Sequence, residues 1–174
     1  MNALASIMLT PAQRARDYTD RLVQGIRPEQ AARKPVGREG VIDTNHPVFV
    51  FGHLSLYGAR VLTLVGKDPA PAATPETWEA LFKAGAPCHD DPSGAIYPAF
   101  GEIVTRYFEI TDAMHAGVRD TPDDVLLREN PNEAQRARFA LVGHLVNFLI
   151  NSHVMMHAGQ VSAWRRCMGL ASAM

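Results

Sequence analysis

His153-Val-Met-Met-His157-Ala-Gly159-Gln160 lies inside the last long apolar run of the chain. Two histidines four residues apart on an α-helix share one face, one turn apart. Around them Phe139, Val142, Val146, Leu149, His153, Met156, Gln160 and Trp164 recur at intervals of three and four. That is the seam of a bundle helix. The histidine pair therefore falls on a face predicted to be buried, where unpaired imidazoles are costly. The same spacing is one that a single metal ion bridges with two imidazole nitrogens.

Working outward, Asn130-Pro131-Asn132-Glu133 reads as a capping box that opens this fourth helix. Gly169 ends it, and Arg165 and Arg166 suit the negative end of its dipole. From Pro131 to Met168 such a helix would be about 55 Å long. Its partners are far shorter, so either it bends, near Gly143, or its first turns are separate. A third helix runs from about Pro98 to Arg119, with Phe100, Val104, Tyr107, Thr111, Met114 and Val118 on its seam. Thr121-Pro122-Asp123-Asp124 opens a short connecting helix.

The second helix starts near Pro47 and puts Val50, His53, Tyr57 and Leu64 on one face. Gly66 and Pro69 stop it. The first starts at Thr10-Pro11-Ala12-Gln13, carries Ala15, Tyr18, Leu22 and Ile26, and ends near Gly25 or Ile26. Residues 1–9 add a turn of helix or pack loosely, and residues 27–46 read mainly as loop. A link of roughly thirty residues joins the second helix to the third, long for a compact domain. It holds a short helix opened by Thr74-Pro75-Glu76, with Trp78, Leu81 and Phe82, and a polar turn from Cys88 to Gly94. No segment alternates by twos. The expected fold is one all-α domain over 1–174, a four-helix bundle with short connecting helices. The long link lets the second and third helices run parallel.

Composition narrows the function. The chain has 174 residues, 47% hydrophobic and 20% charged, as in an ordinary soluble globular protein. Its net charge of −1 provides no field for nucleic acid or an anionic membrane. The two cysteines, Cys88 and Cys167, form no motif and read as free thiols. No apolar run is expected to span a bilayer, and Met1-Asn2-Ala3-Leu4 lacks the basic start of a signal peptide. A cytoplasmic protein is expected.

A third ligand for an ion at His153 and His157 has to come from a facing helix. His53, on the inward face of the second helix between Gly52 and Leu54, is the best candidate. Three neutral imidazoles leave at least one coordination position open for water or a substrate thiolate. A divalent ion lowers the pKa of such a water to about 7 in favourable sites. It also holds a thiol as thiolate. Gln160, one turn beyond His157, is placed to hydrogen-bond a ligand histidine or bound water. The other histidines read as bystanders. His144 faces away, His46 caps the second helix, His115 is partly exposed beside the third seam, and His89 lies in a turn. Met155 and Met156 read as core filler, and Trp78 and Trp164 as packing anchors. Asp90-Asp91 and Asp123-Asp124 read as loop solvation and helix-start charge. No phosphate loop and no nucleophilic serine or cysteine context is present.

Gly52-His53-Leu54, His153-x-x-x-His157-x-Gly159-Gln160, Arg165-Arg166 and Gly169 together resemble the DinB-like superfamily, including its YfiT-like branch. The resemblance spans nearly the whole chain and is most specific in the C-terminal segment. It implies a bundle with an up-down-down-up course. It also implies a divalent metal, zinc or nickel, held by His53, His153 and His157. Many members are homodimers. Some branches are thiol S-transferases that activate a low-molecular-weight thiol, others resemble maleylpyruvate isomerases, and membership alone does not fix the reaction. Three readings stand: a metal-dependent thiol transferase acting on a small-molecule substrate, a metal-dependent hydrolase, and a non-catalytic metal-binding stress protein.

Overall fold

The computed structural model describes residues 2–173. Its first helix, α1 (Ala3–Val23), begins a full two turns before Thr10. The helix start expected at Thr10-Pro11 is therefore corrected: Pro11 lies inside α1. Proline lacks the N–H that would bond the carbonyl of Ile7. Ile7 is exposed, so water can take over that carbonyl, and the neighbouring Ser6 carbonyl accepts the Thr10 hydroxyl at 3.0 Å. Small buried residues, Ala5, Ala12 and Ala15, line the inner face and let other helices approach.

Between residues 27 and 46 lie a 3-10 turn (Pro28–Gln30) and a small antiparallel hairpin, β1 (Val36–Gly37) with β2 (Gly40–Val41). Helix α2 (Pro47–Ser55) follows and is buried on every side. His46 caps it, as expected: its Nδ1 accepts the Phe49 amide at 3.1 Å. After Leu56-Tyr57 the chain continues as α3 (Gly58–Leu64). Gly58 permits close contact there, because a Cβ at that position would lie 2.2 Å from Cγ2 of Ile110.

By length and apolar composition, residues 47–64 could cross a membrane, which corrects the expectation that no run could. The run is broken in the middle, and 67% of it is buried inside the fold. Its apolarity is satisfied by the protein's own core.

The link carries a 3-10 turn (Ala70–Ala72) and α4 (Glu76–Phe82), with Trp78 and Phe82 buried. Asp91 does not solvate the following loop as expected. It is buried, and its carboxylate accepts the amides of Ala95, Ile96 and Tyr97 and the Ser93 hydroxyl. Those bonds hold the carboxyl below its ordinary range against the opposing effect of burial. Helix α5 (Phe100–Arg119) packs on α1, α2 and α3. Its most deeply buried positions include Ile103 and Ile110, while Val104 is only half-buried. His115, expected to be partly exposed, is 5% exposed.

After α6 (Asp123–Leu126) the chain forms a clasp rather than the start of a long helix. Buried Asn130 holds it together. Its amide donates to Ala140 O, its side-chain nitrogen donates to Phe139 O, and its side-chain oxygen accepts from Asn132 N. The predicted capping box is thus an asparagine-centred loop. The fourth helical run begins only at α7 (Val142–Asn147), passes through a π-helical stretch (Phe148–Ser152) and continues as α8 (His153–Cys167). Its first turns are separate, one of the two outcomes expected.

The π stretch shifts the helical face. Beyond it Val154, Ala158, Val161, Trp164 and Arg165 face inward, while Met156 is 61% exposed. The methionines at 155 and 156 are therefore not core filler. Arg165 is not merely a dipole partner either. Its buried guanidinium donates to the carbonyls of Leu22 and Gln24 at the end of α1 and to Ala171 O. Trp164 Nε1 donates to Arg33 O at 2.7 Å and ties α8 to the 27–46 loop. Gly66 and Gly169, the predicted stops, both take φ of +73°.

Candidate metal centre

His53 sits in α2 directly after Gly52, where α4 crosses. A Cβ at Gly52 would meet the Phe82 ring at 2.7 Å, so only glycine lets that ring lie against the helix. The close approach brings the Phe82 carbonyl within 2.7 Å of His53 Nδ1. A carbonyl oxygen only accepts, so Nδ1 carries the proton and Nε2 keeps a lone pair. Phe49 lies parallel to the His53 ring, and Tyr57 meets it edge-on.

Across the cleft, α8 starts at His153, immediately after the π stretch. Insertions of this kind recur at functional sites because they re-aim side chains without ending a helix. His153 Nε2 is 3.2 Å from His53 Nε2. Its Nδ1 is buried with no hydrogen-bond partner among the described residues. One turn later, His157 Nδ1 lies 2.9 Å from Gln160 Oε1, which leaves its own Nε2 with a lone pair.

The structure thus brings all three sequence-predicted histidines together. Each offers a ring nitrogen, and the three nitrogens lie within 4.8 Å of one another. Two ligands about 2.0–2.1 Å from a tetrahedral ion are about 3.3 Å apart, which the His53–His153 pair matches. Burial pushes all three imidazoles below their ordinary pKa, and their mutual proximity adds to this at His53 and His153. His153 is pushed down to about 3. Neutral rings with free lone pairs are the form that binds a metal. The donor set fits a divalent ion.

The group opens onto a cleft of about 360 Å³. Phe49, Tyr57 and Met156 give it apolar walls, and Lys83 supplies a cation at its margin. No Asp or Glu lines it among the described residues, and no fourth His, Cys, Asp or Glu joins the three. The remaining histidines lie elsewhere: His46 in the cap of α2, His89 in the loop that packs on it, His144 on an exposed face, and His115 against α1. Cys88 and Cys167 are free thiols, and burial pushes Cys88 up, away from a reactive thiolate.

Sequence reasoning missed two contributors. The Phe82 carbonyl carries no residue signature. Asn45, whose Nδ2 donates to Gln160 Oε1 at 3.2 Å, sits in a loop with no periodicity.

A family model described as the DinB superfamily matches residues 12–161. This chain belongs to the DinB superfamily. The matched span includes His53, His153, His157 and Gln160. No curated protein and no solved structure matches the chain. Membership of the DinB superfamily and the three-histidine cluster are together compatible with a metal-binding protein.

Proposed function

We propose that this DinB-superfamily protein is a metal-dependent thiol S-transferase. His53, His153 and His157 would hold a zinc or nickel ion, and a low-molecular-weight thiol would be joined to an electrophilic small molecule. The observation that carries the reading is three imidazole nitrogens within 4.8 Å of one another on the wall of an open cleft. Three donors do not close a tetrahedral sphere, so a bound ion would keep a position for substrate. A bound divalent ion would supply the positive charge that keeps a thiol as thiolate at neutral pH.

The chain's own residues do the rest. The Phe82 carbonyl and Gln160 keep the His53 and His157 rings turned with their lone pairs free. Phe49, Tyr57 and Met156 would offer apolar contacts to the electrophile. In the transfer the thiol would lose its proton to solvent at the cleft mouth, a carbon–sulfur bond would form as the bond from that carbon to the leaving group breaks, and the leaving group would depart with the bonding electrons. Hydrolysis is the second reading. A carboxylate base would favour it, and the cleft lining contains none among the described residues. A purely structural metal would favour a closed set of four donors, whereas three converge here.

Two further elements belong to this reading. We read α1, the α2–α3 run, α5 and the α7–α8 run as an up-down-down-up four-helix bundle, a reading supported by the contacts among these helices and the long link between α3 and α5. The working form is a cytoplasmic homodimer. Exposed Leu127, which lines a small groove with Leu4, Met8 and Leu141, and exposed Ile7 support the association.

The test is metal analysis of the purified protein, followed by conjugation assays pairing low-molecular-weight thiols with electrophiles. The expected result is a bound divalent ion and thiol-dependent turnover, both lost in His157→Ala. Unchanged occupancy and conjugation in that variant would overturn the assignment. Turnover without thiol would transfer it to the hydrolase.

A further inference from the structure

We infer that Asn45 is a positioning residue that fixes which nitrogen of His157 is free, acting through the side-chain amide of Gln160. The inference rests on the metal reading above and deepens it.

Gln160 Oε1 receives two donors, His157 Nδ1 at 2.9 Å and Asn45 Nδ2 at 3.2 Å. An amide has one accepting end and one donating end. With its oxygen toward His157, Gln160 requires a proton on Nδ1 and leaves the Nε2 lone pair for the cleft. Turned over, it would present N–H to Nδ1, drive the proton to Nε2 and remove the lone pair. Gln160 alone has little to choose between these states, since either makes one hydrogen bond to His157. Asn45 adds a cost to turning Gln160 alone. Its N–H faces the shared oxygen, and turning Gln160 would set two N–H groups against each other unless Asn45 turned as well.

The backbone at Asn45 is held in place by its neighbour. His46 is fully buried. Its Nδ1 accepts from Phe49 N, so its Nε2 donates to His89 O at 2.9 Å. Both ring nitrogens are therefore committed, and the backbone that carries Asn45 is pinned to α2 and to the 88–91 loop. Asn45 also lines the cleft, beside Phe49 and His157. The relay thus runs from the loop before α2 to a candidate ligand on α8, with Asn45 and Gln160 115 positions apart.

The experiment reads the tautomer directly, by ¹⁵N–¹H correlation of the His157 ring in metal-free protein, and zinc affinity separately, by competition with a chelating dye. Wild type should show one form, with the proton on Nδ1. Asn45→Ala should show a mixture with Nε2-protonated ring and bind zinc about three- to tenfold more weakly, at or below the low end for lost outer partners. Adding Gln160→Glu to that variant should restore the single form, because a carboxylate only accepts and has no wrong way round. A wild-type ring protonated on Nε2, or a single Nδ1–H form that survives Asn45→Ala, would overturn the inference. Failure of the metal reading would show differently: His157→Ala would leave zinc affinity unchanged whatever the tautomer does.

Discussion

The Phe82 main-chain oxygen accepts the Nδ1 proton of His53 at 2.7 Å, while the Phe82 ring covers the residue just before it, Gly52. One residue of α4 therefore sets both the depth and the rotation of a histidine on α2. The short connecting helix is part of the site, not a spacer.

That coupling predicts the effect of Gly52→Ala. The added methyl would sit 2.7 Å from the Phe82 ring, closer than carbon atoms tolerate. Overpacking of this kind costs about 1–3 kcal/mol. Because α4 must move outward, the Phe82 carbonyl leaves His53 as well. The variant should melt earlier in chemical denaturation and also bind zinc more weakly. A loss of stability with zinc affinity intact would separate the two roles and refute the coupling.

Arg165 makes a second prediction. Its guanidinium is 6% exposed and donates to the carbonyls of Leu22, Gln24 and Ala171, closing the end of α1 against the C-terminal segment. Hydrogen bonds from a charged donor contribute about 1.5–3 kcal/mol each before the cost of burying the charge is counted. Arg165→Met should destabilise the fold by about 2–4 kcal/mol in urea unfolding. Arg166→Met, at the exposed neighbouring position, should change it by less than about 0.5 kcal/mol.

Acid should weaken the fold through His46 and His115. Burial pushes both imidazoles down to about 4 from an ordinary 6.5. In that window the unfolded chain binds protons that the folded chain refuses. Stability is therefore full above about pH 6.5, falls as pH drops toward 4, and levels off below for these two groups. Each ring contributes at most about 3.4 kcal/mol to that loss. His115→Met should make the decline between pH 6 and 4.5 shallower by up to about 1.4 kcal/mol per pH unit, measured as urea stability of metal-free protein. A slope equal to that of wild type would mean that His115 is not held neutral.

Much of this was legible in the chain, and the exceptions share a cause. His53, His153 and His157 could be matched because each lies on a periodic helical face, and periodicity is a local signal. Local rules failed where tertiary contacts outweigh them. Pro11 is tolerated inside α1 because the Ile7 side is open to water. Asn130 satisfies a loop instead of starting a helix. The π stretch at Phe148–Ser152 re-phases α8, so Met156 leaves the seam and Val154 and Ala158 take the core. Asn45 and the Phe82 carbonyl were invisible because neither belongs to a pattern. Only the folded chain brings them to the histidines.

Zinc should stabilise the protein, and by an amount that its affinity sets. The three ring nitrogens are assembled only in the folded state, His53 coming from 100 or more residues before the other two. An ion that binds folded chain and not unfolded chain adds about 2.7 kcal/mol at a free concentration of one hundred times Kd. For a domain of this size that is a rise in Tm of roughly 5–10 °C. The rise should grow with the logarithm of free zinc and vanish in His53→Ala and His157→Ala alike. His144→Ala should keep it in full, because that ring is exposed and away from the cleft. Lowering the pH should erode the gain, since protons and zinc compete for the same lone pairs. A zinc-induced shift that persists without His53 would mean that the ion binds elsewhere, and the α2–α8 convergence would then have to be explained by packing alone.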